Sequence, residues 1–148
     1  RDIPHIAQCG RGYQPMLISH YAASWVYGEG PMYFPADKLA WPLGADGRKY
    51  DRDFLLQTLK DAWKPWTDKG GLLFVGEFGA HNQTPHHIAL SWLTDLLSVF
   101  KELGIGWALW NMSGSFGIMD SGRKDVEYED FHGHKLDRKM LDILQRYG

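Results

Sequence analysis

Two places in this 148-residue chain put reactive or ligand-binding side chains where a fold would use them. Glu77 directly follows the apolar run Leu72-Leu73-Phe74-Val75-Gly76 and precedes Phe78-Gly79. A carboxylate at the end of a buried run is costly unless it is paired, hydrogen-bonded or used. Gly76 and Gly79 allow close backbone approach and sharp turns around it. Position alone leaves a catalytic glutamate and a structurally paired one equally open. The second place is Trp110-Asn111, which closes the run Ile105-Gly106-Trp107-Ala108-Leu109. An indole face can take the flat C–H face of a sugar and bury apolar area in doing so.

The remaining reactive residue types suggest less. His81, four residues past Glu77, is placed to edge a ligand subsite. His86 and His87 are adjacent on a helix start and point apart, and His132-Gly133-His134 has no third ligand at a familiar spacing, so no metal site is expected. Ser113-Gly114-Ser115 lacks the serine-hydrolase elbow. Gly104-x-Gly106 precedes an apolar run instead of following one, which is the wrong context for a dinucleotide loop. Glu29, in Gly28-Glu29-Gly30, and the acidic stretch 125–130 read as solvated loops. No cofactor is expected.

The formal net charge is −2 and no Lys/Arg run occurs, which argues against a phosphate-binding face and with it a nucleic-acid partner. No apolar stretch approaches the roughly 18 residues that a membrane span requires. Residues Arg1-Asp2-Ile3-Pro4-His5 lack the layout of a leader; a mature or trimmed chain would look the same, so export stays open. Cys9 is the single cysteine, so no internal disulfide forms. Aromatic residues make up 14% of the chain, and Trp25, Tyr27, Tyr33, Phe34 and Trp41 fall in segments that read as loops. Such rings either pack on the domain or line a groove, with Trp25 and Trp41 as candidate sugar platforms.

The elements that would position these residues come from periodicity. Residues 1–46 hold five of the seven prolines and read as a loop-rich surface, with Met16-Leu17-Ile18 a short buried run. Asp51 or Asp53 caps a helix with Phe54, Leu55, Leu59, Ala62 and Trp63 on one side, ended by Gly70-Gly71. The run 72–76 has the continuous apolar character of a strand buried on both faces. A polar loop follows over 77–85, and Thr84 caps a second helix with Pro85 at its first position. Ile88, Trp92, Leu96, Val99, Phe100 and Leu103 form that helix's apolar face, and Gly104 stops it. The strand 105–110, a polar loop from Asn111 to about Lys135 and a last helix carrying Leu136, Met140, Leu141 and Leu144 complete the chain. Alternating helices and strands with short connections imply βαβ units and a parallel sheet, whose site lies at the carboxyl ends of the strands. A closed (β/α)8 barrel takes about 250 residues, so these are roughly its last three units or a small open sheet.

The segment Leu73-Phe74-Val75-Gly76-Glu77-Phe78-Gly79 resembles the nucleophile strand of glycoside hydrolase family 5, the family of many endoglucanases and mannanases. Ile105 to Asn111 resembles that family's final strand, whose terminal tryptophan stacks under a sugar. Tyr13-Gln14-Pro15-Met16-Leu17-Ile18-Ser19-His20, with Trp25 beyond, resembles its sixth-strand motif. The resemblance implies an α/β fold, the C-terminal part of a TIM barrel with parallel strands, and makes residues 1–148 the second half of a catalytic domain. It implies Glu77 as nucleophile, Tyr13 as its hydrogen-bond donor, and Trp110, Asn111, His81 and Trp25 at the substrate.

The chain departs from the family pattern in two respects. The family histidine two residues before the tyrosine falls on Arg11, and the Asn-Glu-Pro motif that carries the acid/base glutamate has no counterpart here. The implied activity is retaining hydrolysis of a β-1,4-linked glucan. The implied partners are an oligo- or polysaccharide and the N-terminal half, or a second copy, that completes the barrel. The implied location is secreted or periplasmic. The rival reading is a non-catalytic carbohydrate-binding or vestigial half-barrel.

Overall fold

The computed structural model describes residues 6–29 and 34–148. Tyr33, Gly30 and residues 1–5 lie outside the described residues. Three parallel strands form the sheet: β1 (Ala7–Gly12), β4 (Leu72–Phe78) and β5 (Gly106–Trp107), in the order β1-β4-β5. Between β1 and β4 run α1 (Met16–Ser19), α2 (Ser24–Tyr27), a 3-10 turn over Ala36–Lys38, the hairpin β2 (Leu43–Ala45) with β3 (Arg48–Tyr50), and α3 (Arg52–Thr67). Then α4 (His86–Glu102) connects β4 to β5, and the hairpin β6 (Glu129–Phe131) with β7 (His134–Leu136) leads to α5 (Arg138–Tyr147).

The central helix forms as its spacing predicts. Ile88, Trp92, Leu96, Val99 and Phe100 are buried, together with Ala89, Leu93 and Leu97. Each fully buried aliphatic or aromatic side chain of this size stabilises by about 1.5–3 kcal/mol. This makes α4 the main apolar post between the sheet, α3 and α5. The carboxylates of Asp51 and Asp137 cap α3 and α5 by accepting the amides of Phe54 and Met140.

The structure corrects the sequence reading in seven places. Residues 7–12 are a strand, not loop, paired in parallel along β4. The buried run 16–18 is one helical turn with Ile18 fully enclosed. The strand expected over 72–76 continues through Phe78, so Glu77 belongs to the strand and not to the loop after it. Thr84 does not cap α4; Pro85 holds the N-cap position, and the Thr84 hydroxyl donates to the Ile18 carbonyl at 2.7 Å. The stretch 111–135 contains the β6–β7 hairpin, and Leu136 closes it before α5 begins. On α3, Ala62 is exposed. The run 105–110 keeps regular ladder geometry only over Gly106–Trp107, although Ala108 N–H still donates to Val75 and Trp110 N–H to Phe78 at 2.9 Å each.

Candidate active site

Glu77 owes its orientation to an irregularity in β4. Gly10 pairs with Val75, yet the next residue of β1, Arg11, pairs with Glu77, so β4 carries one extra residue. Val75 and Phe78 are both fully buried on the helix side, Phe78 against Phe100 and Trp107 at ring distances of 5.5 and 5.4 Å. Two residues three apart cannot share a face of a regular strand, because side chains alternate with period two. The bulge resolves this by turning both Gly76 and Glu77 to the opposite face. A Cβ on Gly76 would lie 2.6 Å from Cys9 Sγ and close to the Phe74 ring, which marks that face. Without the bulge Glu77 would point at α4.

On the open face Glu77 meets two side chains delivered by the end of β1. The Tyr13 hydroxyl donates to Glu77 Oε2 at 3.5 Å, and Arg11 Nε stands 3.5 Å from the same oxygen. Burial, then the charge and hydrogen bond of Glu77, push the Tyr13 phenol well above its ordinary value, so the phenol remains a donor. Tyr13 is fixed through its own backbone. Ser19 Oγ donates to the Tyr13 carbonyl, and Trp92 of α4 donates to the neighbouring Gln14 carbonyl at 3.0 Å.

A cleft of about 700 Å³ opens here, lined among others by Glu77, Tyr13, Arg11, Trp25, Trp110 and Phe116. Trp110 is 50% exposed and Trp25 62%, so both indoles offer a face to a ligand. The structure thus brings four of the sequence-derived site residues to one cleft: Glu77, Tyr13, Trp25 and Trp110. His81 sits behind the wall. Its ring lies 4.8 Å from Trp25 in an edge contact, and its Nδ1 is 3.2 Å from the Tyr21 carbonyl. Asn111 is outside the lining; its buried side-chain oxygen has no hydrogen-bond partner among the described residues, and its amide lies beside Gly114. Trp41 packs on the core and donates to Asp95 at 2.9 Å, away from the cleft. Glu29 is exposed and also away from it.

Sequence reasoning missed two residues of this region. Phe116 is buried against Tyr13, His20, Trp25 and His81, with ring distances of 6.2, 5.2, 6.3 and 5.5 Å. Arg123, 3% exposed, donates to the carbonyls of Ala80 and Thr84 and so ties the loop after β4 to the loop that carries Phe116. Neither loop has a periodicity that would reveal them. Burial pulls His20 below 6.5, helped by the His81 charge. It also pulls His81 down, against the Tyr21 carbonyl and with the Arg123 cation.

Two further histidines are paired with carboxylates. His86 Nε2 is 2.7 Å from Asp137, His134 Nδ1 is 2.7 Å from Asp120, and His87 is exposed. Among the described residues no group of three His, Cys, Asp or Glu side chains is arranged to hold a metal. No helix among them is long and apolar enough to cross a membrane.

Parallel strands, helices packed on one face and a cleft at the strands' carboxyl ends define a section of a (β/α)8 barrel. The cellulase family model, glycosyl hydrolase family 5, matches residues 17–115. This chain belongs to that family. A glycoside hydrolase of known structure superimposes with a TM-score of 0.77 at 38% identity, over 96% of this chain and 41% of its own length. Thermotoga maritima Cel5A in complex with cellobiose, in a mutant form, gives a TM-score of 0.65 at 18% identity, over 97% of this chain and 42% of its own. The cellulose synthase subunit Z of Clostridioides difficile gives 0.66 at 20%, over 97% and 42%. These last two establish the fold alone. No curated protein matches the chain. The chain spans about two fifths of the length of the structures it matches.

Proposed function

We propose that this chain carries the nucleophile half of a retaining glycosidase acting on β-1,4-linked glucan. One observation carries the reading: the bulge in β4 aims Glu77 into a cleft with an exposed indole, Trp110, on its wall. In a retaining mechanism one carboxylate attacks the anomeric carbon while a second carboxylic acid protonates the departing oxygen, the two about 5–5.5 Å apart. Glu77 is the attacker. The covalent ester is then released when the second group activates water. Among the described residues Glu77 is the one carboxylate in the cleft lining, and the reading assigns the acid/base to the part of the barrel outside this chain. Trp110 and Trp25 supply stacking faces, and the Tyr13 hydroxyl orients Glu77. A polymeric substrate too large to enter a cell goes with a secreted or periplasmic enzyme.

The test is turnover of a soluble cellulose by the protein as its gene encodes it, against its Glu77→Gln form. The expected loss is roughly 10⁴-fold or more, the scale on which removing a nucleophile acts. Equal turnover by the two forms would remove Glu77 from its role. Binding without hydrolysis in the unaltered protein, abolished by Trp110→Ala, would favour a carbohydrate-binding module instead.

A further inference from the structure

We infer that Arg123 is a positioning residue for the reaction: from the loop after the last strand it braces the segment that holds Tyr13 against Glu77. This rests on the reading above of Glu77 as nucleophile. Arg123 is buried, and its two terminal nitrogens donate to the carbonyls of Ala80 and Thr84, gripping both ends of the segment that leaves β4. That segment reaches across to the stretch after β1. The His81 N–H donates to the Ser19 carbonyl and the Thr84 hydroxyl to the Ile18 carbonyl, both at 2.7 Å. Ser19 Oγ in turn donates to the Tyr13 carbonyl, and the Tyr13 hydroxyl to Glu77. The circuit closes through Phe78 and Gly79, which join Glu77 to Ala80. Every hydrogen bond in it lies between buried or half-buried groups of this chain.

The covalent arc of this circuit is its pliable part, because Gly79 sits at φ 154°, a conformation that only glycine adopts without strain. The guanidinium supplies what a single donor could not: a planar fork that fixes two carbonyls at a set spacing. The loop that carries it is anchored in turn, since Asp125 accepts from the His86 N–H at 2.6 Å and Asn82 Nδ2 donates to the Ser121 carbonyl at 2.7 Å. Burial pulls the ionisation of the guanidinium down, and the charges of Asp125 and Asp137 oppose this. Its Nε is buried without a hydrogen-bond partner among the described residues. An unpaired buried donor is costly, so the fork is held at the angle that the two carbonyls require at the expense of Nε. The Tyr13–Glu77 contact, at 3.5 Å, stands at the outer limit of a hydrogen bond, and a small displacement of Ser19 breaks it.

The experiment is a double-mutant cycle on the full-length protein. It measures kcat and KM on a soluble cellulose for the unaltered enzyme, Arg123→Lys, Tyr13→Phe and the two combined, well below every melting temperature. Lysine keeps the charge but cannot bond both carbonyls in the fork geometry. Arg123→Lys should lower kcat by about threefold to tenfold with KM nearly unchanged, and should cost nothing further in Tyr13→Phe, because both changes break one hydrogen bond. An unchanged kcat, or the same fold-loss with and without the Tyr13 hydroxyl, would overturn the assignment; an arginine that only stabilises the fold gives one of these two results. Should Arg123→Lys fail to fold, Asn82→Ala takes its place in the cycle, since it cuts the neighbouring tie to Ser121 and keeps the guanidinium, and the same outcomes decide. No turnover by the unaltered protein sinks the glycosidase reading and this inference with it, whereas turnover with independent losses sinks this inference alone.

Discussion

At the scale of single residues, Glu77 stood out in the chain, because a carboxylate ending a continuous apolar run must be paired, hydrogen-bonded or used, although position alone left those readings equally open. Its surroundings stood out less. Tyr13 donates to Glu77 across 64 positions of sequence, and nothing local in Tyr13-Gln14-Pro15 encodes that contact without the family resemblance. Tyr13→Phe keeps the ring packed against His20 and Phe116 but removes the donor. It should lower kcat by about tenfold, as expected for a hydrogen bond to a charged group, with little change in unfolding midpoint. A steady-state comparison with a thermal melt on the same samples checks both halves.

The buried histidines make a prediction about acid. His20 and His81 have folded values below 6.5, so the unfolded chain binds more protons than the folded one as the pH falls. The stability they contribute is therefore fully present above 6.5 and is lost as the pH drops through the depressed folded values. The urea midpoint should be lower at about pH 5 than at about pH 7.5. The gap should narrow in His81→Gln; an unchanged gap would assign the acid sensitivity to other groups.

At the scale of elements, α3, α4 and α5 were readable because burial wrote itself into a period of 3.6, and the continuous apolar run located β4, although Leu72 and Phe74 are exposed and the strand is therefore not buried on both faces in this chain. β1 was not readable. Ala7-Gln8-Cys9-Gly10-Arg11-Gly12 contains no β-branched or aromatic residue, and its strand character comes from pairing with β4. Its glycines are explained by what lies across from them. A Cβ at Gly10 would come within 2.9 Å of the Trp63 ring, and one at Gly12 within 2.9 Å of Phe100 and 3.2 Å of Phe78. Gly12→Ala should destabilise by about 1–3 kcal/mol through overpacking. It should also displace the flanking Arg11 and Tyr13, lowering activity more than a surface change of equal thermal cost. The bulge at Gly76 was equally hidden, since a strand's extra residue shows only against its partner's register.

Arg123 belongs to this scale as well. Replacing it by methionine leaves the Ala80 and Thr84 carbonyls unpaired in the interior and frees the loop under Phe116. The expected cost is about 3 kcal/mol, read as a shift of the chemical-denaturation midpoint at constant slope.

At the scale of the whole molecule, the chain forms three parallel strands of a barrel that needs eight. Among the described residues neither the outer edge of β1 nor that of β5 has a strand partner, and Leu72 and Phe74 are exposed on the open face of the sheet. Unpaired edges beside exposed apolar side chains template association. The isolated 148-residue chain should therefore self-associate in a concentration-dependent way by light scattering, and the protein with a closed barrel should not. The partial character of the barrel was legible from chain length against the size of a closed (β/α)8 fold. The wall of the cleft supplied by 111–128 was not, because those residues are held by isolated bridges and by Arg123, which leave no repeat in the sequence.

The central claim is that Glu77 forms the covalent bond to sugar, and trapping that bond tests it most directly. The full-length protein would be incubated with an activated fluoro-glycoside whose intermediate forms but turns over slowly, digested, and mapped by mass spectrometry. The account predicts one added sugar on the peptide containing Glu77 and none in Glu77→Gln. A label on another carboxylate, or full turnover with Glu77 never modified, would contradict it.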